Sequence, residues 1–390
     1  MQFFSRSLAQ AASLTEVVPG QKINLKVDLI LGHDGTWSKL LTAWKNSKFK
    51  RAPGNKVLLT IDHAYPAPTI QERVLQQELF QISKDKDLRL YNHGEGVLHQ
   101  VVAEEESLWP GMIIVGADGH VATSGAFGAL AFSLSPEKLV NPLETGFYKF
   151  TVPEIITISL ENQLQSNVLA RDIALYIIGS LGQNIKGKAV ALTGSYLEQA
   201  SIASKMTLCN LLPEAGVSTA FVLLSREEAE GEVYCIDVSI IEPMIAVPPA
   251  PTNVQPVKDL AGKKITVAII GGCSAGRIED MIECASVLKD RKIDPEVTLI
   301  VTPASSKIAN EMDEMGLTSI LRKSGAVVMP PGCGPCPGKH FGLLSPQDVA
   351  LTTTIRNSPG RIGSEEAEIF LASPLTVVSS ALNGVITKPE

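Results

Sequence analysis

"KKITVAIIGGCSAGRIEDM", residues 263–281, decides how the chain folds. An apolar run of strand length ends at Gly271 and Gly272, a cysteine follows, and "RIEDMIECASVLKDRK" takes up helical periodicity. Downstream, "EVTLIVTP" reads as a strand, "ASSKIANEMDEMGLTSILRKSG" as helical, and "AVVMPP" as a third strand. This alternation predicts a βαβαβ unit with a parallel sheet covered by helices, whose ligands collect at the carboxyl ends of the strands. Cys273 follows the first strand, and Cys333 and Cys336 follow the third, so all three fall on that edge.

Working outward, "MIAVPPAPTNVQPVKDLAG" (244–262) is proline-rich with little periodicity and reads as an interdomain linker. Residues 151–243 read as a smaller α/β domain, with "VPEIITISL" as a strand and "ARDIALYIIGSLG" and "SYLEQASIASKMTLCNLL" as helices. Residues 1–150 read as a further α/β domain with strands "KINLKVDLIL", "KVLLTID" and "GMIIVGAD", leaving 263–390 as the cysteine-bearing βαβ domain. At 390 residues, more than one hydrophobic core is expected.

Composition narrows the function. Hydrophobic residues make up 45% and charged residues 19%, an ordinary globular balance. The net charge of −7 and the lack of a basic run argue against nucleic acid as a partner. An anionic substrate therefore needs a local pocket of arginine, histidine or backbone amides. The opening "MQFFSRSLAQAASLTEVVPGQ" lacks the form of a signal peptide, and no stretch reaches the roughly 18 apolar residues of a membrane span, so a cytoplasmic protein is expected. Six cysteines are too few for a disulfide framework.

"PPGCGPCPG" (330–338) is built of turn-formers, which leaves four readings for its cysteines together with Cys273. They are a redox pair, a zinc site completed by His340, small buried hydrophobes, or an iron–sulfur cluster on three thiolates. Cys209, Cys235 and Cys284 lie in apolar runs and read as buried hydrophobes. Glu104, Glu105 and Glu106 read as a solvated acidic face, and His33 and His93 have no assigned role.

The motifs "GGCSAGRIEDM", "PGCGPCPG" and "RNSPGRIGSEEAEIFLASP" resemble the cluster- and substrate-binding signatures of the aconitase superfamily, most closely the large subunits of 3-isopropylmalate dehydratase and homoaconitase. "VDLILGHD", "LLTIDHAYPAP", "GEGVLHQVVAEE", "VGADGHVATSGAFGALAF" and "KMTLCNLLPEAG" resemble further family blocks in the family's order, almost end to end. The resemblance implies an aconitase-like three-domain α/β/α architecture, mostly parallel sheets around a 4Fe-4S cluster, and a hydro-lyase that isomerises a hydroxy di- or tricarboxylate by dehydration and rehydration. Cys273, Cys333 and Cys336 match the cluster ligands, and Asn210 a cluster-contacting asparagine. Asp62, His63, His99, Asp118, His120 and Glu214 match catalytic positions, and Arg356 and Arg361 match substrate and cluster arginines. Arg277, just after a cysteine loop at a helix start, reads either as a salt bridge there or as a contact to substrate or cluster.

Loss of water needs a base for a weakly acidic carbon and an acid for a poor leaving group, and Asp-His pairs suit the second task. Paired arginines grip carboxylates. The chain departs from the family pattern at Gly119, usually serine, at Ala275, usually asparagine, and at Ile355, also usually asparagine. It stops at "NGVITKPE", before the swivel domain of fused aconitases, so a separate small subunit is expected to supply the serine base. The expected substrate is a 2-substituted malate of the isopropylmalate or homoaconitate kind. A non-catalytic iron–sulfur binding or regulatory protein is the alternative.

Overall fold

The strand–helix alternation of residues 263–331 is one half of a seven-stranded sheet in the computed structural model, which describes residues 1–45 and 56–390. Strands Val267–Gly271, Thr298–Thr302 and Val327–Val328 pair in parallel, as the sequence predicts. Val349–Thr352 and Glu368–Ala372 extend the parallel part on the other side. The residues of Val267–Gly271 are all buried, which explains why the run shows no polar alternation. The helical stretch 304–325 is two helices, Ser306–Glu314 and Leu317–Ser324, broken at Gly316 in the left-handed region.

Residues 244–262 are not a linker. Met244–Ala246 pairs antiparallel with Glu368–Ala372 and with Val254–Pro256, so the proline-rich stretch closes the edge of the seven-stranded sheet. Proline is tolerated there because an edge strand leaves N–H positions outside the ladder.

A five-stranded, all-parallel sheet runs in the order Arg89–Tyr91, Val57–Thr60, Leu29–His33, Ile113–Gly116, Leu130–Ser133. A four-stranded parallel sheet runs Thr219–Val222, Ala189–Thr193, Ile155–Glu161, Glu232–Asp237. "KINLKVDLIL" is two strands in different sheets: Lys22–Lys26 pairs antiparallel with Phe147–Thr151, and Leu29–His33 lies at the centre of the five-stranded sheet. "SYLEQASIASKMTLCNLL" is likewise two helices, Ser195–Gln199 and Ile202–Leu211, the second capped by the Ser201 hydroxyl.

The cores are continuous across these layers. Ala189, Ala191 and Phe221 of the four-stranded sheet pack into the cluster that also holds Ile30, Val57 and Ile113 of the five-stranded sheet. Phe4 of the first helix stacks on Phe221, ring centroids 5.7 Å apart. Among the described residues, no helix is long and apolar enough to cross a membrane.

Candidate active site

Six strands from two sheets end around one cavity of about 280 Å³. His33 closes Leu29–His33, Asp62 follows Val57–Thr60, and Asp118 follows Ile113–Gly116. From the other sheet, Cys273 follows Val267–Gly271, Cys333 and Cys336 follow Val327–Val328, and Arg356 and Arg361 follow Val349–Thr352. Helix Ile202–Leu211 and the turn Leu212–Ala215 bring Asn210 and Glu214 from the third layer.

All three cysteines are free and half-buried in the cavity wall. Burial, reinforced by Cys336, pushes the Cys273 thiol up to about 12, and burial with the nearby Asp62 charge holds Cys333 far above the ordinary thiol range. Asn210 Nδ2 donates to Cys273 Sγ at 3.4 Å, Arg361 Nη2 lies 3.9 Å from Cys336 Sγ, and His63 Nδ1 lies 3.7 Å from Cys333 Sγ. The Cys333 N–H donates to the Asp62 carbonyl at 3.0 Å, which locks the cysteine loop to the opposite sheet. Side chains whose ligand atoms all lie within 4.8 Å of one another are His33, Asp34, Asp62 and His63, and separately His99, Asp118 and His120; the cysteines form no such compact group. His340 turns Nε2 to the Pro66 carbonyl at 3.1 Å and stands outside the cavity wall, which removes it as a fourth ligand.

The carboxylates and histidines form a buried web. Asp62 receives His63 Nδ1 at 2.6 Å and the Leu98 N–H at 2.7 Å. Burial opposes charge on both, yet their mutual attraction wins: the Asp62 carboxyl is held well below the usual range and His63 is pushed up to about 9. Asp118 Oδ1 accepts from His99 Nε2 and from the His120 N–H, each at 2.7 Å. His120 Nε2 donates to Glu214 at 2.9 Å, and Arg356 Nε holds the same carboxylate at 3.0 and 3.1 Å. Burial would lower His120, but hydrogen bonds to Asp118 and Glu214 lift it to about 9. The result is two histidines held toward the imidazolium form by three carboxylates, Asp62, Asp118 and Glu214.

A family model described as the aconitase family (aconitate hydratase) matches residues 8–230 and 254–384. The chain belongs to the aconitase family. It is 34% identical to a probable methanogen homoaconitase large subunit of Methanothermobacter thermautotrophicus, over 100% of this chain and 98% of that one. It is 35% identical to a 3-isopropylmalate dehydratase large subunit of Thermococcus kodakarensis, over 95% and 96% respectively. The crystal structure of Thermococcus kodakaraensis aconitase X (holo-form) superposes with a TM-score of 0.54 at 11% identity, covering 90% of this chain and 86% of that one, a likeness of fold.

Within this aconitase-family fold, Arg277 does not face the cavity. Its guanidinium is buried, donating to the Cys273 carbonyl at 2.5 Å and to Thr207 Oγ1 at 3.1 Å, so it braces the cysteine loop from behind. Cys209 and Cys284 are buried as expected, but Cys235 is exposed, because its strand lies at a sheet edge. The glutamates at 104–106 are no uniform solvated face: Glu104 accepts from Ser305 Oγ at 2.7 Å, Glu106 pairs with Arg89, and Glu105 is exposed.

Two residues without an assigned role in the sequence prove central. His33 stacks on His63 with ring centroids 4.0 Å apart and places Nε2 3.3 Å from Asp118 Oδ2, joining the two carboxylate groups. Asp34 accepts the N–H groups of Asp62, His63 and Ala64 at 3.0–3.2 Å and so fixes the Asp62–His63 turn. The available signal was the pattern itself: "GHD" closes one strand as "IDH" follows its neighbour.

Proposed function

We propose that this chain is the large subunit of a hydro-lyase that isomerises a 2-substituted malate, isopropylmalate-like or homoaconitate-like, by removing and re-adding water. The observation that carries this reading is three free thiols at one strand edge facing two carboxylate–histidine groups across a cavity. The thiols suit a 4Fe-4S cluster. Their sulfurs are not drawn into a group compact enough for one ion, and buried thiols that resist ionisation become good ligands only beside a strong cation. Unpartnered buried polar atoms of two side chains that touch the thiols, Asn210 Oδ1 and Arg361 Nε, further fit a site built around a group not made of protein.

Cys273, Cys333 and Cys336 would hold the cluster, which would supply Lewis acidity there. The protein's part is proton and charge management. In dehydration a base takes the proton from one carbon, the C–O bond of its neighbour breaks, and a protonated histidine, His63 or His120, passes its proton to the departing hydroxyl so that water leaves. Asp62, Asp118 and Glu214 hold those histidines charged. Arg356 and Arg361 neutralise substrate carboxylates. The carbon base is assigned to a partner small subunit, since the described cavity offers carboxylates already paired with histidine.

Reconstitution with iron and sulfide tests this. The isolated chain is expected to show broad absorbance near about 400 nm with negligible turnover, and addition of the small subunit to restore dehydration of the alkylmalate. A cluster-loaded complex that leaves every 2-substituted malate untouched, with no change in the cluster's paramagnetic resonance on their addition, favours the non-catalytic alternative.

A further inference from the structure

Gly119 has no conformational reason to be glycine, since its φ is not in the left-handed region. Its reason is steric. A Cβ at this position would lie 2.6 Å from Arg356 Nη2, and among the described residues the atoms it would meet belong to Arg356. Arg356 is the side that would have to give, its side chain being 41% exposed, and any shift of its guanidinium loosens its hold on Glu214. Arg356 Nε is held by both oxygens of Glu214, which also binds His120, and the backbone just before Arg356 is pinned by Arg171 Nη2 on the Thr354 carbonyl at 2.5 Å. The turn carrying Gly119 is fixed by Asp118, which accepts from His99 and from the His120 N–H. Ile355, 2% exposed, fills the wall beside them.

We propose that Gly119 and Arg356 are a matched pair. The outer nitrogen of the guanidinium occupies the place a side chain at 119 would take, and from there anchors one carboxylate of the substrate. Gly119 is thus a positioning residue for a cation. The wall selects an ionised carboxylate, because a guanidinium gives a charge-assisted bond where a side-chain hydroxyl at 119 gives a neutral one. The carboxylate-anchoring half of the proposal rests on the hydro-lyase reading; the steric half does not.

A double-mutant cycle on the cluster-loaded full chain tests both halves. Gly119→Ala is expected to lower the unfolding midpoint in the native background, and to be neutral or stabilising with Arg356→Met, where no guanidinium remains to displace. Additive effects overturn the pairing. Calorimetric titration with maleate reads the second half: Gly119→Ala should weaken binding by about tenfold or more, and should add nothing once Arg356 is methionine. Absence of maleate binding to the native chain, or equal weakening in both backgrounds, overturns the anchoring role. Failure of the hydro-lyase reading alone would leave the complex with its small subunit without turnover, yet keep the coupling in the unfolding midpoint of the chain intact.

Discussion

Glu214 stands between His120 and Arg356, taking His120 Nε2 at 2.9 Å on the oxygen that Arg356 Nε also reaches at 3.0 Å. One carboxylate therefore ties an imidazolium to a guanidinium, and it comes from a different layer than either partner. Glu214→Gln keeps the shape and removes the charge. It should cost about 1–3 kcal/mol of stability, read by urea unfolding, and reduce turnover of the assembled enzyme. Unchanged activity would remove Glu214 from the site.

The stored protons make the cluster-free chain pH-sensitive. His63 and His120 both rise from 6.5 to about 9 on folding, so the folded state binds their protons more tightly than the unfolded state. Their stabilisation is complete below about pH 6.5 and is lost as pH climbs through 9, on the order of 1–3 kcal/mol each. Urea midpoints should fall between pH 6 and 9, and His120→Gln should flatten that slope. A midpoint that rises over this range contradicts the pairing.

Each of Cys273→Ser, Cys333→Ser and Cys336→Ser should leave the chain folded but unable to retain iron and sulfide after reconstitution. Cys235→Ser, at an exposed edge strand, should retain both. Inorganic sulfide analysis separates the two classes, and full retention in any of the first three would dismiss the ligand set.

Arg277→Met should act on the cluster loop and not on substrate binding, because its guanidinium holds the Cys273 carbonyl and Thr207. Cluster loss on dilution should quicken while KM, corrected for iron content, stays near the native value. A rise in KM with a stable cluster would instead place Arg277 in the substrate pocket.

Gly125 lies where the turn Val121–Phe127 crosses strand Thr219–Val222, and a Cβ there would meet the Ala220 carbonyl oxygen at 1.9 Å. Backbone meets backbone, so neither can move aside. Gly125→Ala should cost about 3 kcal/mol or more and lower the thermal midpoint, displacing the Asp118–His120 turn from Glu214. A midpoint within a degree of native would show that the layers slide freely.

The local sequence determined much of this protein. Apolar runs of strand length followed by glycine fix where strands stop, so the placement of Cys273, Cys333 and Cys336 on one strand edge was legible from chain order alone. The signature motifs carried the family. Edge pairing was not legible: residues 244–262 look like a linker because an edge strand tolerates proline and shows no periodicity, and only the partner strand Glu368–Ala372 makes them part of a sheet. Side-chain direction was equally hidden. Arg277 follows a cysteine loop and Arg361 the strand Val349–Thr352, yet the first turns into the protein, where Thr207 arrives from another layer, and the second toward Cys336. His33 acquires its neighbours, and Gly119 its reason to lack a side chain, from residues distant in the chain. Periodicity and turn chemistry act over a few residues, whereas charge pairing and steric fit act wherever the packed layers bring groups together.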